Sequence, residues 1–368
     1  MRVLIDATTL LSLKGGVGHY THKIASALID SKKFDANFFF ADCFTKKIED
    51  IIYPNENIFK RILNKNLKIK HIVSNHHINR FIKKNKIELF HQPNFISYSL
   101  HIKNISTIHD LSWIHFPHLF LKNELKNFDF FFEKSLQNSN KLIVHSNFIK
   151  KELCSYFNLQ PNKVEVVYED LRKDFNNLKE KDCLKFLNKF KLKFKKFFLI
   201  VNTLDGRKNF NFILNIYSRL KSEIQNKYPL VIFGQKGRYS EPIISKIKEL
   251  KNCFYFDYLD EYLLNQCFSS AKIFLYPSLY EGFGISPLES MASGTPVIAS
   301  NIEATKEILG DNAILLDLND EFIWIHKIEE LLENMDFYYE FQNRGLKHVA
   351  KFKKNSTTDK ILDIYEKT

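Results

Sequence analysis

Residues 276–299, YPSLYEGFGISPLESMASGTPVIA, constrain the fold more than any other stretch of the chain. The pattern predicts the end of a buried strand, a turn broken by glycines, a short helix and a second strand that resumes the sheet. Ser286 suits the N-cap of that helix, and Pro287 suits its first position. Glu289 then falls at the third helical position, so Ser286 and Glu289 together predict a capping box.

The rest of the chain alternates short apolar runs with helical stripes and contains few hairpin signals, which favours a parallel doubly wound α/β sheet. The runs in the first half are RVLIDA, ANFFFADC, IELFHQP, ISTIHD, KLIVHS and NKVEVVYEDL. A length of 368 residues suits two domains. We place the boundary near residue 180, inside the Lys-rich segment 171–196, which we interpret as a linker.

The cysteines predict neither a disulfide framework nor a zinc site, because they are scattered, odd in number and without a CxxC pair. They are Cys43, Cys154, Cys183, Cys253 and Cys267. Asp6 interrupts the first apolar run, so we expect no signal peptide, and no run approaches the roughly 20 residues of a membrane helix. We therefore expect a cytoplasmic protein, with docking on the inner face of the cell membrane left open.

A formal net charge of +12 is compatible with nucleic acid, an acidic membrane surface, an anionic substrate or mere surface drift. The basic residues are dense over residues 60–86, which contain nine Lys or Arg and no acidic residue. Interleaved apolar residues make this segment amphipathic, as expected of a helix that lies against anionic lipid. A solvated face of a Lys-rich protein explains the charges equally well.

A glycine-rich loop follows the first predicted strand. Gly15, Gly16 and Gly18 open it, and a helical stripe begins at Tyr20. The N–H groups at such a helix N-terminus suit an anion. A plain tight turn explains the glycines equally well, and their spacing is not the GxGxxG dinucleotide fingerprint.

His109 lies at the C-terminal end of the predicted strand ISTIHD. Ligands of open α/β sheets bind just outside such strand ends, where a histidine can hydrogen-bond a ligand or move a proton. A structural role is equally compatible. His91 holds an equivalent position in LFHQPN, and we consider it a weaker candidate for ligand binding than His109.

Arg207 and Lys208 stand at the start of a predicted helix, just after Gly206 breaks the strand FFLIVN. Two cations at a helix N-terminus oppose the helix dipole. A site for a multiply charged anion explains them better than two solvated charges do. Phosphate is the natural candidate, because Arg binds it bidentately and Lys binds it as a point charge.

Glu281 lies in a loop between an aromatic residue and Gly282, at the C-terminal end of a predicted strand. A carboxylate there suits a ligand hydroxyl or a developing positive charge. The alternative is a solvated loop residue. Glu289 has the capping box as its structural explanation, whereas we find none for Glu281.

The stretch from Glu281 to Glu289 resembles the E-x7-E signature of retaining glycosyltransferases of the GT-B fold, in glycosyltransferase family 4. The similarity extends in the family's order across nearly the whole chain, and the combination is far more specific than any single motif. The segments are GGVGHYT, TIHDL, IVHSNFIKKEL, GRKN, FDYLDEYLLNQCFSSAKIFLYPSLYEGFG and GTPVIASNIEATKEILGDNAILLD. One departure is VVYEDLRKD, where many members carry a turn with Asn-Gly.

The resemblance implies two Rossmann-like domains that face each other across a cleft. Residues 1–180 would bind mainly the acceptor, and residues 181–350 would bind mainly the sugar nucleotide. Residues 351–368 resemble the C-terminal helix that crosses back to the first domain in this fold.

The resemblance also implies roles for the candidate residues. Arg207 and Lys208 would bind the diphosphate, and Glu289 would hold the ribose hydroxyls. Glu281 and His109 would contact the transferred sugar. The implied donor-binding set is Gly15, Gly16, Arg207, Lys208, Gly282, Phe283, Gly284, Ile285 and Glu289, and the implied catalytic set is Glu281 and His109.

The implied reaction transfers a hexose with retention at the anomeric carbon, without a metal and without a cofactor other than the sugar nucleotide. The sequence offers no obvious carboxylate nucleophile. We therefore expect attack on the face that the diphosphate leaves, with a phosphate oxygen as internal base. Catalysis would consist mainly of positioning and charge neutralisation.

The GVGHYT-like start combined with HDL is most similar to bacterial mannosyl- and rhamnosyltransferases that build O-antigen or related surface polysaccharides. This similarity favours GDP-mannose as donor and a glycan or lipid-linked acceptor. One alternative keeps the fold and uses a UDP-sugar. A second alternative, a non-catalytic nucleic-acid-binding protein, has only the net charge in its favour, because no recognition motif of that kind is present.

Overall fold

The computed structural model describes residues 1–12, 15–52, 67–172, 174–238, 240–257, 259–352 and 356–368. The chain forms two compact units. The first contains residues 1–168 and 355–368, and the second contains residues 169–354. The polypeptide thus enters the second unit at residue 169, whereas the Lys-rich composition predicted this passage near residue 180.

The first unit is built on a seven-stranded sheet with the order β3-β2-β1-β4-β5-β6-β7. All neighbours are parallel except β3, which is antiparallel to β2. Val3, Leu4 and Ile5 of the central strand are fully buried, as expected when helices cover both faces of a parallel sheet. The strands are β1 (Arg2–Asp6), β2 (Asp35–Phe40), β3 (Cys43–Thr45), β4 (Leu89–Gln92), β5 (Lys103–Ile108), β6 (Lys141–Val144) and β7 (Val164–Val166).

The hairpin between β2 and β3 departs from the prediction of one strand over ANFFFADC. The strand ends at Phe40, and Ala41 and Asp42 form a two-residue turn with φ values of 46° and 64°. Positive φ at both central residues is typical of a type I′ hairpin turn, which usually carries Asn-Gly or Asp-Gly. Ala-Asp lacks that signal, so the turn was missed.

The second unit is built on a six-stranded parallel sheet with the order β10-β9-β8-β11-β12-β13. The order reverses between β8 and β11, which are hydrogen-bonded neighbours. In an open α/β sheet, ligands bind at such a switch point, outside the C-terminal strand ends. The strands are β8 (Phe198–Val201), β9 (Leu230–Phe233), β10 (Cys253–Phe256), β11 (Ile273–Tyr276), β12 (Val297–Ser300) and β13 (Ile314–Leu316).

Helices connect the strands in both units. In the first unit they are α1 (Gly16–Asp30), α2 (Glu49–Ile52), α3 (Leu67–Asn85), α4 (Ser112–His115), α5 (Lys122–Asn138), α6 (Asn147–Phe157) and the C-terminal α16 (Ser356–Lys367). In the second unit they are α7 (Leu184–Phe190), α8 (Phe210–Arg219), α9 (Ser222–Lys227), α10 (Glu241–Glu249), α11 (Glu261–Ser270), α12 (Ile285–Ala292), α13 (Glu303–Leu309), α14 (Glu321–Glu333) and α15 (Met335–His348).

The C-terminal helix α16 belongs to the core of the first unit. Ile361 and Tyr365 are fully buried in the cluster that contains Val3 and Ile5. The hydroxyl of Tyr365 lies 2.5 Å from Nδ1 of His91, and Nε2 of His91 lies 2.9 Å from the hydroxyl of Thr107. His91 therefore has a structural role, and burial lowers its pKa to about 3.

The Lys-rich segment 171–196 is not the exposed linker that its composition predicted. Leu171, Phe175 and Phe186 are buried in the second unit. Asn176 and Leu178 are hydrogen-bonded to side chains of α11. Most of the described lysines here are exposed while the interleaved apolar residues fill the core, because long cationic side chains keep their charged ends in water. Lys195 differs, since its Nζ donates to the carbonyl of Gly294 at 3.2 Å.

We expect Gly234→Ala to lower the free energy of unfolding by about 3 kcal/mol, as overpacking of a rigid contact does. A Cβ atom at Gly234 would lie 1.7 Å from the backbone oxygen of Asn202, so the loops after β8 and β9 would have to separate. Urea denaturation followed by circular dichroism measures the change. Gly16→Ala is the control, since a Cβ there meets nothing within 4 Å among the described residues. Equal midpoints for Gly234→Ala and the unaltered protein would contradict the close approach.

Candidate functional site

The switch point of the second unit brings together the loops that follow β8 and β11. The chain leaves β8 and forms a 3-10 turn, Gly206–Lys208, in which the carboxylate of Asp205 accepts a hydrogen bond from the N–H of Arg207 at 3.0 Å. The chain leaves β11 and passes through Glu281 into α12. The backbone N–H of Leu279 donates to the carbonyl of Arg207 at 2.8 Å and ties the two loops together.

Glu281, Lys208 and Arg207 form a charge cluster at this point. Nζ of Lys208 donates to Oε1 of Glu281 at 2.6 Å, and NH1 of Arg207 lies 3.4 Å from Oε2. Glu281 is 6% exposed and Lys208 is 7% exposed, so the pair is buried. Separate sequence patterns singled out these residues and the family resemblance placed them at one site, but neither predicted that their charges neutralise one another.

The cluster corrects two interpretations from the sequence. Arg207 and Lys208 are not cations that only a ligand can balance, because Glu281 already contributes a negative charge. Glu281 also has a structural role, since a buried lysine without a counter-ion is costly. No sequence pattern links residue 281 to residue 208, because the contact spans 73 positions.

The environment of Glu281 keeps it ionised. Burial alone would raise its pKa, but the charges of Lys208 and Arg207 and its hydrogen bonds lower it to about 2. Burial raises the pKa of the nearby Tyr276 well above its usual range, and the charge of Glu281 adds to that rise. A carboxylate with so low a pKa is a weak base and a weak nucleophile.

The helix after Glu281 starts differently from the predicted capping box. It begins at Ile285 with Gly284 as N-cap, and Gly284 has a left-handed φ of 87° that favours glycine. Ser286 therefore lies inside the helix, and its side chain is not the cap. Glu289 lies in the second helical turn, where its side chain cannot reach back to the helix start.

Glu289 instead pairs with Arg172. Nε and NH2 of Arg172 lie 2.7 and 2.5 Å from Oε1 of Glu289, which is 1% exposed. Burial raises the pKa of Glu289, and the charge of Arg172 opposes that rise. Arg172 was not among the predicted site residues, since its only sequence signal was one more cation within a Lys-rich segment.

The connection from Glu281 to α12 consists of Gly282, Phe283, Gly284 and Ile285. These are the residues that the E-x7-E resemblance assigns to donor binding. Phe283 is buried next to Phe352, at a centroid distance of 6.2 Å. The first turn of α12 directs backbone N–H groups and the positive end of the helix dipole toward this connection. Such a helix start suits a negatively charged ligand group.

The candidate residues of the first unit lie on α1 and at the end of β5. Gly15 is the N-cap of α1 and Gly16 is its first residue. Tyr20, one turn further along α1, hydrogen-bonds Thr107 of β5 at 3.0 Å. The Tyr20 ring also packs edge-on against the ring of His109, with the centroids 5.2 Å apart. The structure thus joins the glycine loop to the end of β5.

His109 forms a hydrogen-bonded pair with His145. Nε2 of His109 donates to the carbonyl of Pro93 at 2.7 Å, and Nδ1 of His145 donates to the carbonyl of Val167 at 3.1 Å. Nδ1 of His109 lies 3.1 Å from Nε2 of His145. Burial lowers the pKa of His145 to about 4.

The basic segment 60–86 lies only partly within the described residues. Residues 60–66 lie outside them, and the remainder includes helix α3. Ile78 and Ile82 are buried against Leu4 and Phe90, so this part of the predicted apolar face packs on the first unit instead of facing solvent. Binding of residues 60–86 to an anionic membrane stays a prediction that liposome flotation checks.

No helix among the described residues is long and apolar enough to cross a membrane.

Comparisons with known proteins agree with this architecture. Residues 14–169 match the family model described as Glycosyltransferase Family 4, and residues 185–355 match Glycosyl transferases group 1. The chain belongs to the glycosyltransferases of the GT-B fold. The fold class predicted from the sequence is thereby confirmed.

Two curated relatives have names that specify a sugar. The chain is 27% identical to O-antigen chain mannosyltransferase B of Escherichia coli over 284 residues, which are 76% of this chain and 74% of the relative. It is 28% identical to O-antigen chain mannosyltransferase RfbU of Salmonella typhimurium over 241 residues, or 64% of this chain and 63% of the relative.

Two solved structures share the fold. WaaG, a glycosyltransferase involved in lipopolysaccharide biosynthesis, superposes with a TM-score of 0.75 at 12% identity over 99% of both chains. Anabaena HepE in complex with UDP and glucose superposes with a TM-score of 0.73 at 12% identity over 100% of both chains. This glycosyltransferase therefore has its candidate residues on a scaffold that such enzymes share.

We expect Glu281→Gln to lower the free energy of unfolding at pH 7 by about 3 kcal/mol, because it leaves the buried ammonium of Lys208 unpaired. The folded-state pKa of Glu281, about 2, lies below its ordinary value of 4.5. The stabilisation is therefore complete above about pH 4.5 and is lost as the pH falls toward 2. Urea titrations at pH 7, 5 and 4 measure the difference.

Glu303→Gln is the matched control, because Glu303 pairs with Lys306 at the surface, where ion pairs contribute roughly 0–1 kcal/mol. A loss below about 1 kcal/mol for Glu281→Gln at pH 7 would mean that the buried pair contributes no more than an exposed one.

Proposed function

We propose that this glycosyltransferase moves a hexose, with retention and without a metal, from a nucleotide sugar to a glycan or lipid-linked acceptor in surface polysaccharide synthesis. The observation that supports this best is the cluster of Glu281, Lys208 and Arg207 at the switch point of the second sheet. It combines two cations with a carboxylate that stays ionised. The two cations are complementary in charge to a diphosphate leaving group, and the carboxylate is complementary to the positive charge that develops on the transferred sugar.

The cations and the start of α12 neutralise the diphosphate as the glycosidic bond breaks. Lys208 contributes an ammonium next to Glu281, and an ammonium binds phosphate as a point charge. Arg207 contributes its planar guanidinium, which suits phosphate oxygens. In many enzymes, charge stabilisation by groups that are already oriented lowers the reaction barrier more than any other single effect.

Retention comes from the family resemblance, and the state of Glu281 argues against a covalent intermediate as its route. A covalent intermediate would need a carboxylate that is free to attack, but both oxygens of Glu281 face cations and its pKa is about 2. Its negative charge instead stabilises the positive charge that develops on the sugar. The acceptor hydroxyl attacks on the face that the diphosphate leaves and transfers its proton to a phosphate oxygen.

Mannose from GDP-mannose is the donor we favour, because the two curated relatives above are mannosyltransferases by name. A UDP-sugar is the second candidate, since HepE holds UDP and glucose on the same fold. Nucleic-acid binding is not favoured, because only the net charge supports it and the two cations of the switch point suit a diphosphate.

We expect isothermal titration calorimetry to give a Kd for GDP at least about tenfold lower than for UDP, a difference of roughly 1.4 kcal/mol. Hydrolysis assays with GDP-mannose, GDP-fucose, UDP-glucose and UDP-galactose then identify the sugar. Tighter binding of UDP would contradict GDP-mannose as the donor. It would not contradict the proposed glycosyltransferase activity.

We expect Lys208→Ala to weaken the binding of GDP and GDP-mannose by the same factor, about tenfold or more, since both ligands carry the diphosphate that the ammonium contacts. Calorimetry measures both affinities at a temperature where the circular dichroism spectrum shows a folded variant. Lys306→Ala is the matched control, because Lys306 lies at the surface of the same unit. An unchanged affinity in folded Lys208→Ala would exclude Lys208 from the diphosphate site.

A further inference from the structure

The pair of Arg172 and Glu289 has an unusual asymmetry. Arginine commonly binds a carboxylate with two parallel hydrogen bonds, one to each oxygen. Here Nε and NH2 of Arg172 both approach Oε1 of Glu289, at 2.7 and 2.5 Å. Oε2 is buried, and no group among the described residues hydrogen-bonds to it.

A buried acceptor without a hydrogen-bond partner is rare in folded proteins, because the lost hydration of the atom is not replaced. Glu289 carries the atom on α12, directly after the connection that begins at Glu281. Its location in the donor site and its unmet hydrogen bond both indicate that Oε2 accepts from a ligand hydroxyl.

Arg172 is held in place from several sides. NH1 of Arg172 lies 3.3 Å from a carboxylate oxygen of Glu261, at the start of α11. Leu171 is buried, and its N–H donates to the carbonyl of Phe352 at 2.9 Å. Phe175 is buried and lies under the guanidinium, 5.1 Å from Cζ to the ring centroid. The fold thus fixes the position of the guanidinium.

We propose that Arg172 is a positioning residue that commits Oε1 of Glu289 to the protein and leaves Oε2 as the acceptor for one ribose hydroxyl of the donor. This inference rests on the proposed function, because it takes the ligand to be a nucleoside diphosphate sugar. It adds that Glu289 distinguishes the two ribose hydroxyls. A freely rotating carboxylate can accept one hydrogen bond from each of two vicinal hydroxyls, whereas a carboxylate with one oxygen occupied binds mainly one of the two hydroxyls.

The side chain of Arg172 also sets the charge of the acceptor. Burial alone favours the protonated carboxylic acid, which would offer a donor where the ribose needs an acceptor. The guanidinium opposes protonation and so strengthens the hydroxyl contact. Oε2 is shielded from solvent, so a ribose hydroxyl enters with a local adjustment while the guanidinium stays on Oε1.

The test compares GDP with 2′-deoxy-GDP and 3′-deoxy-GDP by calorimetry at pH 7, or the matching UDP series if UDP binds more tightly. For the unaltered protein we expect one deoxy analogue to bind about tenfold weaker or more, as expected for a lost hydrogen bond to a charged group. The other analogue should lose no more than about threefold.

In Arg172→Met we expect weaker binding of GDP and nearly equal affinities for the two deoxy analogues. Arg172→Lys keeps the charge and should restore part of the difference. Arg344→Met is the matched control, because Arg344 lies in the same unit and pairs with Glu340 at the surface. It should leave all three affinities unchanged.

The opposite outcomes are distinct. Equal losses for the two analogues in the unaltered protein, or the same asymmetry in Arg172→Met, would overturn the positioning role. Tighter binding of GDP to Arg172→Met would show that Arg172 blocks the carboxylate, which also overturns it. Absence of GDP and UDP binding to the unaltered protein would contradict the proposed function and this inference together.

Discussion

The buried ion pair between Lys208 and Glu281 is the interaction on which the candidate site of the second unit depends. It joins the turn after β8 to the loop after β11, at the point where the strand order of the second sheet reverses. Each partner would be costly in the interior without the other. The pair therefore fixes the two loops relative to each other and creates a place where charge is concentrated. The same two side chains therefore stabilise the local fold and form the candidate site.

The same pair limits the chemistry. A carboxylate held ionised between Lys208 and Arg207 does not easily take up a proton, so under the proposed function its contribution is electrostatic. Glu281 in turn partly compensates the charges of the two cations. A diphosphate sugar supplies both a negative leaving group and a developing positive centre, so it can engage both signs of the cluster. Arg172 and Glu289 form a second buried pair nearby, with one carboxylate oxygen bound by the guanidinium and the other without a hydrogen-bond partner among the described residues.

The strands and the positions of most site residues could be predicted from the sequence, because both depend on short-range patterns. The strands follow from apolar runs, and the positions of Arg207, Lys208 and Glu281 follow from where those runs end. The pairings were not accessible, since Lys208 meets Glu281 across 73 positions and Arg172 meets Glu289 across 117. The E-x7-E pattern alone does not say which cation each carboxylate contacts. The β2–β3 hairpin was missed for a different reason, because its Ala-Asp turn carries none of the residues that usually mark left-handed backbone.

The start of α12 illustrates how a good local pattern can be overridden. Ser286, Pro287 and Glu289 fit a capping box in isolation, and a helix that began there would engage Glu289 with its own backbone. Gly284 can adopt a φ of 87°, so the helix begins at Ile285 and leaves Glu289 in the second turn. This earlier start releases the carboxylate from capping, and Arg172 and the buried environment then decide its charge and orientation. The left-handed Gly284 thus determines that the second carboxylate of the signature pairs with Arg172 and does not cap its own helix.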